Sequence, residues 1–229
     1  MARKPAARKA LIAVLLVFVA GIGCNPFLAP FQMFGLFNDA KGPCHFNFYD
    51  RAVKEKRKKD IRIVVIPYMS PSVPFRGVEN AIASTFIRKL DETFKVNKDR
   101  VTIVSPSEFE KFRRTHEDWK GMQLSEIGKN FSADYVVELE VTNLSLYEPL
   151  TRDIFRGNCR ISVRITDVDH DGETFDHYDY STEYPGNGQS VPMDMETTVE
   201  RFKQRFVAKI ALDLTGLFTP LPAGADRFQ

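Results

Sequence analysis

The six residues Ile61-Arg-Ile-Val-Val-Ile66 constrain the fold more than any other stretch of the chain. A short β-branched run that stops at a proline, here Pro67, is the pattern of a buried strand. Behind it Val78, Ile82, Phe86, Leu90 and Phe94 recur every four residues and draw one apolar stripe along an amphipathic helix. Val101-Thr-Ile-Val104 predicts a second strand. Ser105-Pro-Ser-Glu108 then supplies an N-cap hydroxyl, a proline at the first helical position and a glutamate three residues after the cap. The helix it opens carries Phe109 and Phe112.

Past Gly121, the residues Ser125–Phe131 predict a short helix that hands over at Ala133-Asp134 to a strand. In that strand Val137, Leu139 and Val141 lie on one face and Glu138 and Glu140 on the other. Ile161, Val163 and Ile165 alternate in the same way with Ser162, Arg164 and Thr166, and Phe175–Tyr180 follows as a further strand. Pro185–Met195 reads as a loop. A last helix shows Phe202, Phe206, Ile210, Leu214 and Leu217 on one face. The expected fold class is α/β with a mixed (α+β) sheet in the order β-α-β-α-β-β-β-α, a single domain over residues 61–218 with helices packed on the sheet. Residues 219–229 are expected to form a flexible tail.

The first 60 residues follow a different logic. Arg3, Lys4, Arg8 and Lys9 form a basic start, Ala10–Ala20 is uncharged and apolar, and Gly21-Ile-Gly-Cys24 ends in small residues, the form of a signal peptide over residues 1–23. The apolar stretch is too short to cross a hydrocarbon core of ~30 Å as a helix rising 1.5 Å per residue. Cys24 behind small residues resembles the lipobox of bacterial lipoproteins, although Gly21 stands where that pattern usually has leucine. The resemblance implies cleavage before Cys24 and acylation of its thiol, as by palmitate. The alternative is an uncleaved signal anchor running on through Phe27–Phe37, a stretch broken by Asn25, Pro26 and Pro30.

Residues 24–60 are expected to be the lipidated cysteine and a tether, because no sustained period of either kind crosses them. Their basic run Lys54–Lys59 is either solvated or drawn to anionic lipid headgroups. Taking the four basic residues of the signal from the total of 32 leaves 28 against 30 acidic residues. A chain so close to neutrality gives no electrostatic reason to expect nucleic acid as a partner. If Cys24 carries lipid, Cys44 and Cys159 remain as a pair, either bridged outside the cytoplasm or left as two thiols.

The stretch Asp167-Val-Asp-His-Asp-Gly-Glu173 imitates the opening of a calcium loop, with Asp167, Asp169 and Asp171 at ligand spacing and Gly172 at the sixth place. The twelfth place holds Tyr178, which is no bidentate ligand, and the flanking segments alternate as strands. Asp171-Gly172 is a hairpin signal, so a turn is expected and a metal site at the three aspartates is the weaker alternative. No cofactor is expected. The four histidines, His45, His116, His170 and His177, lie in no nucleophile or metalloprotease motif. Gly186-Asn-Gly188 lacks the strand-to-helix context of a phosphate loop. Arg113-Arg114 with Trp119 could make a cation–π patch or simply be a capped surface helix.

Taken with their order, "VTIVSPSEFEKF", "SEIGKNFSADYVVELEV" and "RISVRITDVDHDGETF" resemble the superfamily of periplasmic lipoprotein domains. That superfamily includes the curli-secretion lipoprotein, the amino-terminal domain of TolB and the lipoprotein activator of penicillin-binding proteins. The matching positions are Ile127-Gly128, Ala133-Asp134-Tyr135-Val136-Val137, and Asp167-Val168 with Gly172-Glu173. The resemblance implies an anticodon-binding-like α/β domain that binds other envelope proteins. The function expected is a non-enzymatic protein anchored by lipid and facing the periplasm or exterior, on the outer membrane more than the inner, with Pro185–Met195 and the tether as contact regions. Two rivals stand beside it. One is a homo-oligomeric envelope or secretion assembly joined by strand addition. The other is a hydrolase with an unrecognised site near His116 or His170.

Overall fold

The computed structural model describes residues 44–48, 60–170, 174–194 and 197–221. Six strands form a mixed sheet: β1 (Ile61–Met69), β2 (Val101–Ile103), β3 (Tyr135–Tyr147), β4 (Ile154–Asp167), β5 (Thr174–Tyr184) and β6 (Val191–Pro192). Four α-helices pack with it: α1 (Val78–Asn97), α2 (Pro106–Thr115), α3 (Leu124–Asn130) and α4 (Val199–Phe218). The strand order is β2-β1-β3-β4-β5, with β6 also beside β4. The β2-β1-β3 half is parallel and the β3-β4-β5 half antiparallel. Because β2 and β3 lie on opposite sides of β1, right-handed crossovers place α1 on one face and α2 with α3 on the other.

This explains why β1 is apolar without alternation. Ile61, Ile63 and Val65 face the core shared with α1 and α4, while Val64 and Ile66 face Phe109, Phe112, Trp119 and Ile127. A parallel strand covered on both sides needs both faces apolar. Beyond the reach of α2 and α3 the second face turns polar, and Glu138, Glu140, Ser162 and Arg164 occupy it as the alternation predicts.

Beyond shifts of a residue or a few at the ends of β2, α3 and β5, four segments differ from those expected. β1 runs through Pro67 to Met69 instead of stopping. Backbone groups at odd positions face β2, as Ile61 N–H does with Arg100 O and Ile63 O with Val104 N–H. β2 ends opposite Ile63, so the missing N–H of Pro67 falls on an open edge, where proline is tolerated. β4 begins at Ile154, seven residues before Ile161, because its inward positions Phe155, Gly157 and Cys159 include two small residues that hide the period. The expected loop Pro185–Met195 contains β6, which pairs with Ile154 and Phe155 as a resumption of β5. The expected tether contributes Phe46 and Phe48 to the core, 6% and 1% exposed.

Local signals account for the rest. Ser105 accepts from the Glu108 N–H and caps α2, and Thr198 does the same for α4 through Arg201. Asp134 clasps the starts of β1 and β3: its carboxylate accepts from Arg62 N–H at 2.8 Å and its own N–H donates to Arg62 O at 2.7 Å. Gly128 lets α3 lie on the sheet, since a Cβ there would fall on Val168 and 2.9 Å from Val136.

Candidate functional site

The stub length of β2 creates a cleft. β2 pairs with Ile61–Ile63 alone, so the later residues of β1 have no strand beside them on that side. The space is walled by the end of β1 and the residues that follow it (Pro67–Pro71), Arg76 and the first turn of α1, Arg113 of α2 and a 3-10 turn at Trp119–Gly121. It measures about 290 Å³. Because α1 and α2 leave the ends of β1 and β2 toward opposite faces, the cleft occupies the position where open α/β sheets form ligand crevices.

Its chemistry is cationic and aromatic. Trp119 is buried in the wall, with the Arg113 guanidinium 5.1 Å from its ring centre. The Lys120 ammonium lies 5.8 Å from the Tyr68 ring and 5.9 Å from the Trp119 ring. Arg113 pairs with Glu110 at 2.6 Å, whereas Arg76 and Lys120 have no carboxylate partner among the described residues. Glu79 is the acid in the lining; its Oε2 is buried without a hydrogen-bond partner among the described residues. Gly77 caps α1 at φ 87° without a side-chain bond, so the first amides of that helix are left uncapped. Sequence reading found the Arg113–Trp119 pair but missed Arg76, Glu79 and Lys120, which no short motif links.

The other described residues singled out from the sequence lie elsewhere. Cys24 and Asp171 fall outside the described residues. Cys159 is a free thiol facing the core, and the Cys44–Cys159 bridge is not formed. The reason is register. His45, next to Cys44, packs against Tyr178, the ring centroids 4.6 Å apart. Tyr178 pairs with Val163, four residues along β4 from Cys159, or ~13 Å at 3.3 Å per residue. Disulfides need Cα atoms within about 7 Å.

Asp167 is only 2% exposed, and its carboxylate accepts from the Asp169 N–H at 3.1 Å and meets His170 at 3.2 Å. It folds the turn back on itself between two antiparallel strands. Among the described residues no three His, Cys, Asp or Glu side chains are grouped to hold a metal.

His116 Nδ1 lies 3.1 Å from Phe112 O and its ring stacks on Phe112, which ties it to the end of α2. The sheet does bring Ser162, His177 and Asp179 together. The Ser162 hydroxyl is 2.7 Å from His177 Nε2, but Asp179 approaches the same nitrogen, at 3.4 Å. A relay needs the carboxylate on Nδ1, opposite the nucleophile. The Pro185–Met195 segment is held by Met193 N–H donating to Asp153 O and by Ser190 on Glu148.

The fold and cleft define a class: one α/β domain whose mixed sheet carries helices on both faces of its parallel half. No protein-family model matches the chain, and no curated protein matches it in sequence. Among solved structures, it is similar to lipoprotein GNA1162 from Neisseria meningitidis, at 13% identity over 67% of this chain and 97% of that one, with a TM-score of 0.43. The PelC dodecamer from Paraburkholderia phytofirmans aligns at 10% identity over 70% and 91%, TM-score 0.40. Rare lipoprotein B from Shewanella oneidensis aligns at 10% identity over 67% and 87%, TM-score 0.28. Among the described residues no helix is long and apolar enough to cross a membrane.

Proposed function

We propose that this is a lipid-anchored protein of the cell envelope whose α/β domain docks partner proteins without catalysing a reaction. The anchor rests on the signal pattern that ends at Cys24. The docking role rests on one observation above the others: a cleft at the ends of β1 and β2 lined by Arg76 and Lys120, cations without carboxylate partners among the described residues. Exposed charges left unpaired beside aromatic walls suit recognition of a partner. Two measurements test the reading. Palmitate labelling of the wild type should be lost in Cys24→Ser together with membrane partitioning, and unchanged partitioning would favour a signal anchor. Crosslinking and pull-down from intact envelopes should capture a defined partner at the cleft.

A second reading draws on β5, which pairs with β4 on one side and forms the sheet edge on the other. Such an edge accepts a strand from a neighbouring copy. Light scattering on the purified protein separates the two, since a large closed oligomer would favour assembly.

A further inference from the structure

We propose that the cleft takes an extended acidic peptide of the partner, a deepening that rests on the docking role above. Three features converge on this ligand. The first is charge. Arg76 and Lys120 stand at the mouth without an ion pair among the described residues, and Lys120 is held over the Tyr68 and Trp119 rings, not over a carboxylate. An aspartate or glutamate side chain supplies the missing anion, and Arg76 can take it in two parallel N–H···O bonds.

The second feature is an orphaned acceptor. Glu79 Oε2 is buried in the same cleft with no hydrogen-bond partner among the described residues. A simple carboxylate anion offers this atom nothing, whereas a peptide brings N–H donors alongside its acidic side chains. Buried polar atoms that lack a partner are costly, so a ligand that carries both signs gains at both places.

The third feature is shape. The late residues of β1 present an open edge where β2 has ended, and an extended chain is the form that lies along an exposed strand.

The chain's single tryptophan, Trp119, lines the cleft and reports directly on it. Full-length protein in detergent is titrated with an acetylated, amidated hexapeptide alternating glutamate and valine. The expected result is a saturable change in Trp119 emission, matched by calorimetric heat. Binding should weaken at least tenfold in Arg76→Glu and in Lys120→Glu, recover only in part in Arg76→Lys, which restores the charge without the paired N–H donors, and be absent for the glutamine–valine peptide. These are surface changes, so the unfolding midpoint should stay within a degree or two of wild type. Equal binding of the glutamine peptide, or undiminished binding by both charge-reversed variants, overturns the proposal. So does a response to inorganic phosphate or phosphatidylglycerol vesicles without one to the acidic peptide. If the envelope partner still crosslinks to both reversed variants, the acidic-peptide proposal falls and docking stands. If the peptide binds but no partner is captured in envelopes, the docking reading fails separately.

Discussion

Phe48 lies flat against Phe218, their ring centroids 5.4 Å apart and their planes 3° from parallel. The contact joins the stretch before β1 to the last residue of α4, and Phe46 N–H donates to Leu217 O beside it. What reads in sequence as a tether thus closes the end of the core. Phe48→Ala is expected to destabilise the domain by ~3–5 kcal/mol, with a smaller loss for Phe48→Leu. Urea unfolding measures both, and a chain cut back to residue 61 should lose at least as much.

Gly157 of β4 sits under the ring of Phe206, where a Cβ would come within 2.8 Å. Gly157→Ala should cost about 1–3 kcal/mol by overpacking. At roughly 2–4 °C per kcal/mol for a chain of this size, the shift is visible in a thermal melt. Adding Phe206→Leu should recover part of the loss, and a purely additive double mutant would show that the two residues are not coupled.

Cys159 is buried, and desolvation pushes its thiol from the usual 9 up to about 12. In the native protein it should therefore react with iodoacetamide at pH 8 only as fast as the domain unfolds. Folding raises this pKa, so the associated stability is present below pH 9 and is lost as pH rises toward 12. Cys159→Val should remove that part of the alkaline fall. Mass spectrometry without reductant should find Cys159 unbridged.

Glu138 is held above its ordinary 4.5 chiefly by burial, opposed by the Arg164 guanidinium at 3.3 Å and reinforced by Glu140. A carboxyl whose folded pKa is raised favours folding when protonated, and that contribution fades as pH rises past 4.5. Glu138→Gln is thus expected to raise the melting temperature at pH 7, with the gain gone below about pH 4. A lower melting temperature at pH 7 would mean that the ion pair outweighs burial.

Asp167→Ala should remove the bond from Asp169 N–H and lower stability by ~1–2 kcal/mol. Calcium should leave the melting temperature of both proteins unchanged. A calcium-dependent rise in the wild type that disappears in the variant would restore the metal reading.

Much of this architecture was legible because it repeats. The four-residue stripe from Val78 to Phe94 is the buried face of α1, and all five of its residues are in the core. Glu138 and Glu140 sit on the polar side of β3 where alternation put them. The Ser105 cap was legible because its three-residue spacing is local. Gly157 and Cys159 hid the start of β4 because small residues carry little hydrophobic signal. Phe46 and Phe48 were misread because two aromatics in an irregular stretch make no period.

Sequence alone determined the four helices, the strands other than β6 and the mixed α/β class, since these follow from repeats within one turn of helix or two residues of strand. Only the tertiary structure decided the cleft. Arg76 lies in the turn before α1 and Lys120 in the 3-10 turn after α2, and they line one cavity because β2 stops after three residues and leaves β1 uncovered. That event is a matter of strand register, set by the packing of the whole sheet, and no local pattern carries it.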